Sequence, residues 1–198
     1  MGYLMDKGRF GMIKDRHFAT YKAALGQGKM DIQMVPLCEF VAKTKGYYTS
    51  SCCSGRIILL EKRGKRKIDT FFHRKWHREI TEGELIEGFD ESTKGEVWLR
   101  IDPFILHIGC KNLEDCSKIL AAMKAAGVKR GGIIVADEEK FMVELQGTDS
   151  MSLLIKKGEK KLVSEEYLQE IVPLANNMLR QNYARLTKLE NAFRNLLE

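Results

Sequence analysis

From Ser164 to the C-terminus, Leu168, Ile171, Ala175, Met178, Arg185, Leu189, Phe193 and Leu196 fall near one stripe at helical spacing. A helix of that length spans on the order of 50 Å, and only another layer of structure can cover its stripe. Pro173 removes a backbone donor inside the pattern, so a kink is expected there. The covering layer must come from the preceding chain, which reads as strands set between shorter helices.

Phe10, Ile13, His17, Tyr21 and Leu25 recur at helical spacing until Gly26 and Gly28. A second helix is expected over about 34–45, with Pro36 in its first turn and Gly46 past its end. Five strand-like segments follow, at 47–53, 56–62, 66–73, 96–101 and 104–110, with Gly64 at a hairpin turn and Asp102-Pro103 as a break. Asn112 is placed to cap a helix to about Ala126, because Glu114 and Asp115 stand in its first turn and Gly127 just beyond it. Segments 131–136, 140–146 and 152–157 read as three more strands. Strand meanders between helices predict an α+β fold with a mixed β-sheet, flanking helices and the long C-terminal helix. No linker, low-complexity segment or repeat divides the chain, so residues 1–198 are expected to form a single domain.

Charged residues make up 30% and hydrophobic ones 44%, and no apolar run approaches the ~18 residues of a membrane helix. A soluble protein with no membrane partner is expected. The start, MGYLMDKGRFGMIKD, lacks the apolar centre of a secretory signal, and the expected location is cytoplasmic. Cys38, Cys52, Cys53, Cys110 and Cys116 are odd in number, and the adjacent pair could close only a strained ring, so free thiols are expected. No CxxC or HxxxH occurs, and no metal is expected. Gly26-Gln27-Gly28 follows a helix rather than a strand and supplies no dinucleotide-type loop.

The net charge of +6 suits a polyanionic partner, and its distribution is more telling than its sum. Lys62, Arg63, Lys65, Arg66 and Lys67 surround the expected hairpin turn, and Arg74, Lys75 and Arg78 extend the charge toward Trp76. Such a hairpin contacts RNA phosphates, or it guards an exposed strand edge against aggregation. Lys156, Lys157, Lys160 and Lys161 form a second basic turn with the same two readings. Just before strand 56–62 stands a run of small side chains, Thr49-Ser50-Ser51-Cys52-Cys53-Ser54, followed by Gly55-Arg56. It reads as the polar face of a strand with Gly55 at a bulge. Equally, it reads as a turn dense in donors, where Gly55 permits close backbone approach and Arg56 grips a carboxylate or phosphate with paired hydrogen bonds.

Several of these motifs, in this order, resemble a known family. Tyr47 to Ile58, then Lys75-Trp76-His77, then Asp102-Pro103-Phe104-Ile105-Leu106-His107-Ile108 with Asn112-Leu113-Glu114-Asp115, look like the successive motifs of the tRNA wybutosine-synthesizing methyltransferases that act third in that pathway, in their short archaeal form. The family pattern Ser-x-Ser-Ser-Cys-x-Gly-Arg falls on Thr49 to Arg56, with Thr49 and Cys52 where the pattern has serines. Thr49 keeps the hydroxyl; Cys52 is a weaker donor. The resemblance implies a single catalytic domain that uses S-adenosylmethionine to methylate N4 of the tricyclic modified guanosine beside the anticodon of tRNA-Phe. The cofactor would not be held in the ordinary Rossmann manner, and no obligate protein partner is implied.

On that reading Ser51, Cys53, Gly55 and Arg56 bind the cofactor, with Arg56 on its carboxylate or on an RNA phosphate. His77 and His107 are the candidate catalytic bases, since a neutral imidazole can take a proton near physiological pH. His107 alternates with Leu106 and Ile108 and so faces away from them. Lys62, Arg63, Lys65, Arg66, Lys67 and Trp76 would bind the RNA, Trp76 by stacking on the flat base. The plainer alternatives are histidines satisfied by backbone carbonyls and a tryptophan in the core. His17 and His73 are read as structural or solvated. Methyl transfer from a sulfonium is an in-line displacement that needs positioning to ~3 Å and a proton acceptor, so no covalent role falls to Cys53. Two rivals remain: a non-catalytic RNA-binding protein with the same hairpin, and a thiol or metal protein, which lacks the ligand spacings.

Overall fold

The computed structural model of the chain describes residues 7–137 and 140–197. Its elements in order are α1 (Lys7–Gly26), α2 (Val35–Lys43), β1 (Tyr47–Cys53), β2 (Arg56–Lys62), β3 (Thr70–Trp76), α3 (Glu82–Asp90), β4 (Glu96–Asp102), β5 (Ile105–Cys110), α4 (Leu113–Ala125), β6 (Arg130–Asp137), β7 (Lys140–Gln146), β8 (Met151–Lys157), β9 (Lys160–Lys161) and α5 (Glu165–Leu197). Short 3-10 turns lie at Ile32–Met34 and Lys67–Asp69. The described residues divide into two compact units, the first within 1–54, 104–148 and 183–198, the second within 55–103 and 149–182. Each unit has its own sheet, ordered β1-β5-β7-β6 in the first and β3-β2-β4-β8-β9 in the second. The α+β class, the flanking helices and the long C-terminal helix are as expected. The sheet differs in detail: among the described residues every strand pairing is antiparallel, and there are two sheets rather than one mixed one.

In the first unit, β5 alternates as its sequence requires, with Leu106 and Ile108 fully buried and His107 between them on the opposite face. The buried face shares one core with Leu37 and Val41 of α2, Ile119 and Met123 of α4, and Leu189 and Phe193 of α5. On the other face, α1 covers Tyr48 with Phe10 at 5.8 Å and with His17 stacked at 4.6 Å between ring centroids. That leaves no room beneath the tyrosine. A Cβ at Gly109, directly opposite on β5, would lie 2.0 Å from the Tyr48 ring. Asn112 caps α4 as its position predicts, Oδ1 accepting from the Asp115 amide at 2.8 Å.

In the second unit, Ile57 and Leu59 of β2 with Val97, Leu99 and Ile101 of β4 form a fully buried face. Leu85 and Phe89 of α3 and Leu168, Val172 and Leu179 of α5 are buried in the same unit. Gly88 of α3 lies so close to the sheet that a Cβ there would meet Leu59 Cδ1 at 2.7 Å. Helix α3 escapes the sequence reading: it is nine residues long and contains two glycines. Its signature is a capping box, Thr81 Oγ1 accepting from the Glu84 amide at 3.2 Å and Glu84 Oε2 from the Thr81 amide at 2.9 Å. Lys156, expected in a solvated basic turn, is buried. It donates to the carbonyls of Phe89 at 3.1 Å and Glu91 at 2.5 Å, closing the C-terminal end of α3.

The strand expected at 66–73 instead begins at Thr70, because residues 67–69 wind into a 3-10 turn fixed by Asp69, which accepts from the Arg66 amide at 3.1 Å. Pro173 lies inside α5, whose helical run continues on both sides.

Candidate functional site

The run of small side chains has a geometric cause. Thr49 pairs with Ile108 and Cys52 with Leu106, so Ser50 and Ser51 stand together against the single residue His107. This is a β-bulge, and two consecutive residues sharing one partner's space must be small. The extra residue also turns Thr49 and Cys52 toward the same face, the one packed by helices. Thr49 is buried, and Cys52 makes a thiol–thiol hydrogen bond with Cys38 of α2. That bond, with burial, pushes the Cys38 thiol up from its ordinary value.

On the opposite face three strands place three polar groups in a row. Ser51 Oγ lies 2.7 Å from His107 Nδ1, and His107 Nε2 lies 2.8 Å from Oε2 of Glu144, the residue paired with it on β7. An ionised carboxylate only accepts, so Nε2–H donates to it and Nδ1 is left as the acceptor for the serine hydroxyl. The histidine and glutamate side chains keep 25% and 31% of their surface. The row is therefore ordered yet reachable.

Beyond the bulge, Ser54 is fully buried, and its amide and hydroxyl both donate to Asp31 Oδ2, at 2.8 and 3.1 Å. Cys53 is half-buried. Gly55 has φ of 100°, a left-handed value that a side chain would strain. In the second unit, Arg56 directs Nε and Nη2 to Oδ2 of Asp102, its partner on β4, each at 3.0 Å, while its guanidinium lies 4.8 Å from the Phe72 ring. Asp102 Oδ1 also accepts from Arg100 at 2.8 Å. Two guanidiniums thus share one carboxylate, and the cluster keeps an excess positive charge.

Trp76 is half-buried opposite Ile57, and His77 directly follows β3. His73 Nε2 donates to the Gly88 carbonyl at 2.9 Å, a structural role consistent with its sequence reading. Of the hairpin cations, Arg63, Lys65, Arg66 and Lys67 are exposed. Two have intramolecular partners: Arg63 bonds Glu61 at 2.7 Å, and Arg66 bonds Asp69 at 3.1 Å. Buried Glu61 also accepts from the amides of Lys94 and Gly95, both at 2.8 Å. The Arg63 bond, with those amides, holds its carboxyl down at about 2. A cavity of about 440 Å³ opens beside the hairpin, lined by cations that include Lys62, Lys65, Lys94 and Lys157.

The profile of the family described as Methyltransferase TYW3 matches residues 13–195. This chain belongs to that family. It is 32% identical over 183 residues to a Pyrococcus horikoshii protein named tRNA(Phe) 7-((3-amino-3-carboxypropyl)-4-demethylwyosine(37)-N(4))-methyltransferase 1, a match covering 92% of this chain and 93% of the relative. A Pyrococcus abyssi protein of the same name, numbered 2, is 33% identical, over 88% of this chain and 85% of the relative. The solved structure of the PH1069 protein from Pyrococcus horikoshii OT3 superposes with a TM-score of 0.89 at 29% identity, covering 100% of both chains. No described helix is long and apolar enough to cross a membrane.

Within this TYW3 member, the family-pattern positions divide by face. Cys52 packs inward on Cys38, so the missing serine oxygen falls at a packing position, whereas Ser51 keeps its hydroxyl at the row with His107. Glu144, Asp31, Asp102 and Arg100 were not singled out as site residues by the sequence. Glu144 leaves one local trace, a carboxylate between Val143 and Leu145 in a strand, but its pairing with His107 is set by sheet register across 37 positions.

Proposed function

We propose that this chain is an S-adenosylmethionine-dependent methyltransferase acting on N4 of the tricyclic modified guanosine beside the anticodon of tRNA(Phe), working in the cytoplasm as one catalytic domain. The relatives' names supply the substrate, and the row Ser51, His107, Glu144 is the observation in this chain that carries the chemistry. S-adenosylmethionine would supply an electrophilic methyl group. The ring nitrogen then sheds a proton, and His107 Nδ1, with its lone pair directed at Ser51, receives it while Glu144 holds the ring and balances the imidazolium charge. His77 is retained as the second candidate base. The residues suit the cofactor's polar end: the positive excess of Arg56, Arg100 and Asp102 fits a carboxylate, and the left-handed Gly55 admits a ligand close to the backbone. Ser51 and Cys53 complete that cofactor set in the proposal. The hairpin residues Lys62, Arg63, Lys65, Arg66 and Lys67, with Trp76, serve the RNA.

Single-turnover methylation of tRNA(Phe) carrying the 4-demethyl tricycle tests the reading. Transfer by the wild-type chain and its loss in His107→Asn, with cofactor binding intact by calorimetry, support it. A wild-type chain that binds tRNA but neither binds S-adenosylmethionine nor transfers methyl would leave the rival of a non-catalytic RNA-binding protein.

A further inference from the structure

The second sheet packs one face on α3, and its other face, on which Arg56, Trp98 and Arg100 are half-buried, carries a further pattern beside the Arg56, Asp102 and Arg100 cluster. Cross-strand pairing puts Arg56, Ile58, Leu60 and Lys62 of β2 beside Asp102, Arg100, Trp98 and Glu96 of β4. Lys75 and Phe72 of β3 pair with Ile58 and Leu60 and share that face. Ile58 and Leu60 are buried, but Phe72 is 52% exposed, and Lys75 and Ser152, which pairs with Arg100 from β8, are exposed as well. Cations lie over both rings: Arg56 and Lys75 at 4.8 and 5.4 Å from the centroid of Phe72, and Lys62 at 4.9 Å from that of Trp98. Past Lys62 the face leads into the 440 Å³ basic cavity, where Lys94 and Lys157 join the hairpin cations.

Resting on the reading of this chain as a tRNA enzyme, we propose that this face is a platform for unpaired RNA, with bases stacking on Phe72 and Trp98 and successive phosphates held by Lys75, Lys62 and the Lys94–Lys157 cavity. An exposed and a half-buried aromatic ring on one sheet face, each beneath a cation whose place a base can take, match a polymer that alternates planar bases with single negative charges. A duplex hides its base faces and can use only the cations. A protein partner of ordinary composition would leave four cations, Arg56, Lys62, Lys75 and Arg100, facing only two carboxylates of the sheet itself, Glu96 and Asp102. The exposed Ile68 and Phe71 at the hairpin also suit an anionic lipid surface, which the test separates.

The probes are a labelled single-stranded oligoribonucleotide of about ten nucleotides, the same sequence as a duplex, and phosphatidylserine-containing vesicles. The wild-type chain is expected to prefer the single strand. Phe72→Leu keeps an apolar side chain at an exposed position and should weaken single-strand binding by roughly 5- to 150-fold, the loss of one base stack. The double variant Lys94→Glu with Lys157→Glu should flatten the salt dependence by ~0.7 for each phosphate no longer neutralised, while the preference for single strands persists. Equal binding of strand and duplex, unchanged affinity in Phe72→Leu, or a loss confined to vesicles overturns the platform. Loss at Phe72 supports it whether or not the wild-type chain methylates tRNA(Phe), whereas absent methylation overturns only the functional reading.

Discussion

The two sheets are built alike and finished differently. In the first, helices cover one face and α1 covers part of the other, and the accessible remainder, besides the exposed edge strand β6, includes a short strip where Ser51, His107 and Glu144 fix one another at 2.7 and 2.8 Å. In the second, one face packs α3 and the other presents long, flexible cations around partly exposed rings. Hydrogen-bonded rows suit a reaction that depends on position, because a small misplacement of the acceptor is costly. Flexible charges suit a polymer whose backbone they can follow. The contrast separates rate from affinity, and variants can test whether the molecule does the same.

The largest effect is expected at the first sheet. His107→Ala should slow single-turnover methyl transfer by about 10²- to 10⁴-fold with tRNA affinity unchanged, since it removes the proposed proton acceptor and leaves every phosphate-binding cation in place. A parallel fall in tRNA binding would break the division between the sheets. Arg56→Lys comes next: the charge stays but the paired bonds to Asp102 and the stacking on Phe72 go, and cofactor affinity or transfer rate should drop about tenfold or more.

Glu61→Gln probes the second sheet through stability. The Glu61 carboxyl is held at about 2 against an ordinary 4.5, so its charged form stabilises the fold above pH 4.5 and that contribution is lost as pH falls toward 2. Denaturant unfolding of the wild type should lose on the order of 3 kcal/mol across that window, and Glu61→Gln should start less stable and lose less. Equal slopes for the two proteins would contradict it. Replacing Lys65, Arg66 and Lys67 by alanine should lower the salt slope of tRNA binding by ~0.7 to 0.9 for each phosphate these cations neutralise, and leave cofactor affinity alone. Arg66 is already paired with Asp69, so most of that change should come from the two lysines. The smallest effect is expected for Cys53→Ala, whose turnover per folded molecule should stay within roughly an order of magnitude, because no bond to sulfur forms.

Much of the architecture could be read from local pattern. Strands β1, β2 and β7 begin and end where alternation and turn residues place them, and α4 starts at the asparagine that caps it. Reading failed where distant residues decide. Nothing local separates the buried Lys156 from the exposed Lys157; only the carbonyl ends of α3 make the first structural. Helix α3 is short and rich in glycine, and its formation is helped by packing against Leu59. Of the candidate row, the histidine and the serine stand in a motif, whereas the glutamate meets them only through sheet register. The preference of Cys52 for the core over the site is likewise invisible until the bulge is counted.

That bulge has a consequence for how chain lengths compare between relatives. Strand β1 spends two residues where β5 spends one, and Thr49 and Cys52 on either side face the same way because of it. Deleting either Ser50 or Ser51 would restore regular alternation with both flanks still in phase, so the fold would absorb the loss. A deletion or insertion anywhere else in β1 would instead invert every side chain beyond it. A single gap at this point in an alignment therefore marks a change in how His107 is approached, in a strand where gaps otherwise signal misalignment.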